Sequence, residues 1–135
     1  MIEPFTPDDL DQLSAEIDRE LLALGTPGTG LARGDTPEQA LPEPQRRALE
    51  QATGEEAMSF LKRFKRVAHR DLCEEGGVLY TQWQKWKDVS NKDLLRTIGP
   101  ILAAMGLTGG LLQTAAVAVA VYILYLGIQA FCTEV

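Results

Sequence analysis

Apolar residues recur at helical spacing through most of the chain. Leu10, Leu13, Ile17, Leu21 and Leu24 fall on one stripe, with Asp11, Glu16, Asp18 and Glu20 off it, which predicts an amphipathic helix. Thr6 stands at the N-cap and Pro7 at the first helical position. Asp8 and Asp9 follow in the first turn, where they complement the helix dipole. Gly25 is a natural stop. The stripe must bury against something, and Leu10, Leu13, Ile17 and Leu21 are the expected partner-binding residues. Residues 25–45 read as a flexible linker, because Gly25, Gly28, Gly30 and Gly34 are interspersed with Pro27, Pro37, Pro42 and Pro44.

Pro44 can open a short helix through Ala52. Thr53 with Glu56 has the spacing of a capping box, which predicts a second, strongly amphipathic helix from Gly54 to Cys73. Met58, Leu61, Phe64, Ala68 and Leu72 line one face, and Lys62, Arg63, Lys65, Arg66, His69 and Arg70 the other. Trp83 and Trp86 share one side of a further helical piece over 78–88. Ser90 with Asp93 offers another capping box, from which helix runs toward Leu107, with Pro100 as a kink or restart. Thr108-Gly109-Gly110 reads as a turn.

The segment from Leu111 to Cys132 holds 22 residues and no charge. As a helix it covers about 33 Å, against roughly 30 Å for the hydrocarbon core of a bilayer. A strand of that length would leave its backbone unsatisfied in lipid. The expectation is one C-terminal transmembrane helix, about 111–132, with Leu111, Ala116, Ala120, Tyr122, Tyr125 and Cys132 along the span. Full burial at the centre of a helical bundle satisfies the same pattern. Thr97–Leu107 is too short to span and could be the first arm of an apolar hairpin. Gly106 with Gly110, and Ala116 with Ala120, have the spacing that lets helices approach closely in lipid.

Charge sharpens this division. The net charge of −6 is segregated: 13 acids and 4 bases up to Phe60, 9 bases and 5 acids over 61–96, and one acid, Glu134, thereafter. With every base ahead of the expected span, the positive-inside bias places the N-terminal portion in the cytoplasm, a tail-anchored, single-pass topology. The N-terminus has no basic segment followed by an apolar one, so a secretory signal is not expected. The cationic helix reads as a membrane-surface element, with Lys62, Arg63, Lys65, Arg66 and Arg70 toward anionic headgroups and Trp83 and Trp86 at the interface. The acidic first helix is expected to dock on this cationic helix and mask it. Nucleic acid is disfavoured, because the chain is acidic and the basic patch short.

No catalytic arrangement emerges. Gly25-Thr26-Pro27-Gly28-Thr29-Gly30 has the glycines of a phosphate loop, but Leu31 and Ala32 stand where the lysine and hydroxyl are needed. Arg33-Gly34-Asp35 and the terminal Thr133-Glu134-Val135 match short ligand motifs by spelling alone. His69 is the only histidine, without a surrounding set of metal ligands. Acid pairs such as Glu55/Glu56 and Glu74/Glu75 suit helix ends better than acid–base work. Cys73 and Cys132 are too few and too far apart for a disulfide framework, which favours a reducing compartment. No catalytic residue, cofactor or metal is expected.

The chain is thus expected to be all-α: an acidic helix over 1–24, a linker over 25–45, a basic helical region over 46–96 and an apolar membrane segment over 97–135. The function expected is a non-enzymatic, membrane-anchored protein. Its N-terminal helices recruit or sense a soluble protein partner, and its C-terminal helix packs in the bilayer or self-associates as a homo-oligomer. Two alternatives stand beside it: a membrane-perturbing, pore-forming or holin-like effector, and a soluble all-α interaction module with the apolar helix buried.

Overall fold

The computed structural model describes residues 5–24, 42–74, 80 and 90–126. Most of the expected linker, Trp83, Trp86 and Cys132 lie outside the described residues. The described residues form five helices and no strand, so the chain is all-α. They are α1 (Pro7–Leu24), α2 (Glu43–Thr53), α3 (Ala57–Cys73), α4 (Asn91–Ala104) and α5 (Gly109–Leu126).

Helix α1 begins where its capping residues require. The Asp9 amide donates to Thr6 Oγ1 at 3.1 Å, and the Thr6 amide donates to Asp9 Oδ2 at 3.0 Å. This reciprocal pair is a capping box with aspartate in the place more often held by glutamate. At α4 the expected cap is also present, with the Asp93 amide donating to Ser90 Oγ at 3.1 Å. That helix runs through Pro100 without a restart.

The junction of α2 and α3 differs from expectation. Gly54 takes the left-handed conformation, φ +72°, and its amide donates to the Glu50 carbonyl at 2.9 Å. This closes α2 and breaks the backbone direction, so Thr53 ends one helix instead of capping the next. Its hydroxyl donates back to the Leu49 carbonyl at 2.7 Å. Helix α3 then starts at Ala57, whose amide reaches Glu50 Oε2 at 3.4 Å. Helix α2 itself starts at Glu43, inside the expected linker.

The turn after α4 lies one step earlier than Thr108-Gly109-Gly110. The Gly106 amide donates to the Ala103 carbonyl at 3.0 Å and the Leu107 amide to the Leu102 carbonyl at 3.2 Å, with Gly106 at φ +103°. This is the Schellman arrangement, and the buried Leu102 and Leu107 supply its apolar clasp. Gly109 and Gly110 already belong to α5.

Helix α5 is the central element. It packs against α1, α2 and α4, while α3 lies outside it, against α2 and α4. Every residue from Ala115 to Ile123 is buried. Nine consecutive residues make two and a half turns, so no face of this stretch meets solvent. Leu10, Leu13 and Ile17 from α1, Leu49 from α2, Phe60, Phe64 and Leu72 from α3, and Leu94, Leu95 and Ile98 from α4 complete one continuous core.

The transmembrane expectation is not supported by the described residues. Among the described residues no helix is long and apolar enough to cross a membrane. The described part of α5 runs Gly109–Leu126. Its apolar side chains meet protein. Ala116, Ala120 and Tyr122 are buried in the bundle, Tyr125 is half-buried, and Leu111 is 53% exposed at the N-terminal end. Gly106 and Gly110 do not mediate close helix packing either, since a Cβ at either would meet nothing within 4 Å.

Candidate functional site

The core accounts for the stripe on α1. Leu10, Leu13 and Ile17 are buried and Leu21 packs against the same cluster. They hold the bundle together and are not on a surface open to a partner. The acids of α1 serve the same docking. Asp11 Oδ1 accepts from Lys92 Nζ at 2.5 Å, and Asn91 Nδ2 reaches Asp18 Oδ1 at 2.9 Å and the Ser14 carbonyl at 3.2 Å. Helix α1 is therefore fastened to α4. The expected masking of the cationic helix by α1 is not found, since the extensive contacts of α1 are with α4 and α5.

That leaves the outer face of α3. Its inward stripe, Ala57, Phe60, Leu61, Phe64, Ala68 and Leu72, is wholly buried. Because these positions repeat every three to four residues, the intervening ones point outward. Lys62, Arg63, Arg66 and Arg70 are exposed, whereas Lys65 and His69 are half-buried. Arg63 bonds to Glu55 Oε2 at 2.6 Å and lies 5.8 Å from the centre of the Phe60 ring. His69 Nδ1 faces Glu74 Oε2 at 2.9 Å. No ion pair among the described residues reaches Lys62, Arg66 or Arg70.

These three stand at positions i, i+4 and i+8, a row with about 6 Å between successive members. Asp71 is the one acid within α3. Helix α2 has the opposite character. Arg46 pairs with Glu43 and, at 3.5 Å, with Glu50, and Arg47 reaches Glu43 at 3.2 Å. The two guanidiniums beside Glu43 hold its carboxyl below the ordinary range. Arg96 likewise meets Asp93 at 3.3 Å. Arg46, Arg47, Lys92 and Arg96 are thus neutralised locally, and the row on α3 is not.

A second polar feature lies under α1. Gln45 is 1% exposed, and its Nε2 donates to Glu20 Oε1 at 2.6 Å. Its amide oxygen has no partner among the described residues. Burial pushes the Glu20 carboxyl above its ordinary value, and Glu16 adds to the effect. The Gln45 hydrogen bond and Arg19 oppose it. The sequence carries a signal for this site: Gln45, Leu49 and Ala52 form the buried register of α2, with a polar residue in the first place. Cys73 is also corrected: it is disulfide-bonded. The other cysteine in the sequence is Cys132.

Among the described residues no group of His, Cys, Asp and Glu could hold a metal ion. Comparison with family models, with curated proteins and with solved structures finds no match to this chain.

Proposed function

We propose that this chain is a non-enzymatic interaction module. It is a helical bundle that shelters the apolar α5 and presents the outer face of α3 to an anionic partner. One observation carries the reading: Lys62, Arg66 and Arg70 are exposed, regularly spaced and unpaired in a chain of net charge −6. A single exposed ion pair contributes roughly 0.2–1 kcal/mol, so one cation would recruit nothing. Three on one helix face, meeting one partner together, give useful and salt-dependent attraction.

The test is fluorescence anisotropy of labelled polyglutamate titrated with the full chain at low and high salt. Wild type should bind at low salt and release at high salt. The variant Lys62→Glu/Arg66→Glu/Arg70→Glu should not bind at either. Equal binding by wild type and variant, or no binding by wild type, overturns the reading.

A second reading is a membrane-perturbing effector, in which the bundle opens and α5 enters lipid. The observation in its favour is that α5 carries no charged residue on any face, so its entry into lipid would bury no charge. Single-pass anchoring with the N-terminal portion in the cytoplasm asks the same helix to leave the bundle. Dye release from anionic vesicles tests the effector, and carbonate extraction tests the anchor. A chain that releases no dye at any dose and washes off membranes excludes both.

A further inference from the structure

Resting on that reading of α3, we propose that its partner is an acidic amphipathic helix of another protein. The helix lies along α3 with carboxylates on Lys62, Arg66 and Arg70 and an apolar side chain on Val67. The first argument is spacing. The three cations repeat every four residues over about 12 Å, the repeat at which a facing helix presents its own side chains. Two of the three are arginines, whose planar forks take carboxylates in pairs of hydrogen bonds.

The second argument is Val67, which is 52% exposed although most large apolar side chains of the bundle are inside. It sits one turn from both Arg63 and Arg70, so the cationic face has an apolar spot within it. A helix with a mixed face covers both features, whereas a uniform polyanion or a nucleic-acid backbone leaves Val67 wet.

The third argument concerns lipid. A helix lying on a bilayer inserts its apolar face, and in α3 that face (Phe60, Phe64 and Leu72) is buried in the bundle. Val67 is the one large apolar side chain of α3 left exposed beside the cations, too little apolar surface to seat a helix in a bilayer. The observations therefore favour a protein helix over a membrane surface.

The experiment uses the full chain and a synthetic helical peptide with Glu at i, i+4 and i+8 and Leu beside them. A scrambled peptide, polyglutamate, anionic vesicles and duplex DNA serve as comparisons. The patterned peptide should bind about tenfold tighter than the scrambled one, a difference of about 1.4 kcal/mol. Val67→Ser should weaken the patterned peptide severalfold and leave polyglutamate binding unchanged. Arg66→Glu should weaken both. Both positions are exposed, and thermal melts verify that the variants fold.

Equal affinity for patterned and scrambled peptides, or no effect of Val67→Ser, overturns the helical partner while leaving α3 as an anion-binding face. Failure of both the peptide and polyglutamate to bind overturns the two readings together. Tighter binding of vesicles or duplex through the same cations replaces the helix with that partner.

Discussion

Enclosure of α5 on all sides makes the response to added side-chain volume there diagnostic. Ala116 and Ala120 are 0% exposed, one turn apart in the middle of the helix. Leucine at Ala120 adds three carbons where α1, α2 and α4 pack on α5. Burying them would gain about 0.8 kcal/mol each if space existed. In a filled interior, neighbours are instead forced off their rotamers, and overpacking carries a net penalty of typically 1–3 kcal/mol. With a urea slope of about 2 kcal/mol per molar for a domain of this size, the denaturation midpoint should fall by about 0.5–1.5 M. Ala103→Leu makes the same chemical change at an exposed position of α4, where the effect should stay within about 0.5 kcal/mol. Alanine and leucine differ little in helix propensity, so the difference between the two variants isolates packing. The assay is urea unfolding followed by circular dichroism, with slopes compared to verify that both variants lose the same structure. A midpoint for Ala120→Leu at or above that of wild type would refute enclosure. A helix facing lipid would tolerate or welcome the leucine.

Other expectations follow from particular contacts. Glu20 binds protons more readily folded than unfolded, because burial raises its pKa from 4.5. The folded state therefore holds the extra proton just above that value, and stability falls as pH rises through this window. Melting temperatures across pH should show this slope, and Glu20→Gln should flatten it; an unchanged slope would exclude Glu20 as its source. Gly106 at φ +103° should lose about 1–3 kcal/mol on substitution by alanine, whereas Gly110→Ala in the first turns of α5, with open space around it, should gain a few tenths to about 1 kcal/mol. Equal urea midpoints for these two variants would contradict the backbone assignment. Cys73→Ser should destabilise the chain. Loss of a native disulfide typically costs about 2–5 kcal/mol. Wild type under reductant should lose the same amount in urea unfolding, whereas a wild-type midpoint indifferent to reductant would refute the contribution of the bridge.

Local punctuation was legible in the sequence, and partnership was not. Thr6, Pro7 and Ser90 start α1 and α4 because a cap needs only residues three positions apart. The Thr53–Glu56 pair has the same spacing and fails as a cap, because Gly54 between them turns left-handed and closes α2 first. The stripe Leu10, Leu13, Ile17 and Leu21 announced burial without saying whether the surface that covers it belongs to this chain. The segment after Leu111 posed the same ambiguity more sharply. Lipid and a protein interior both exclude charge and both require internal backbone hydrogen bonds, so one composition serves either environment. On α3 the basic face could be read residue by residue. Which of its cations already had partners depended on Glu55 and Glu74, placed by the turns that flank the helix.

The position of α5 also bears on how the chain acquires its structure. The helix on which α1, α2 and α4 pack is the last of the five in chain order, and α1 meets it across a separation of about a hundred residues. A nascent chain emerging from its N-terminus therefore presents several amphipathic helices before the surface that joins them exists. Such long-range closure slows folding relative to bundles built from sequential neighbours, and it leaves apolar stripes open to wrong partners meanwhile. Helices α1 and α4 have their own side-chain caps, but the early helices have no shared interior, so assembly has to wait for the residues after Gly109. The concentration of acids in the first 60 residues keeps that waiting intermediate mutually repulsive between copies.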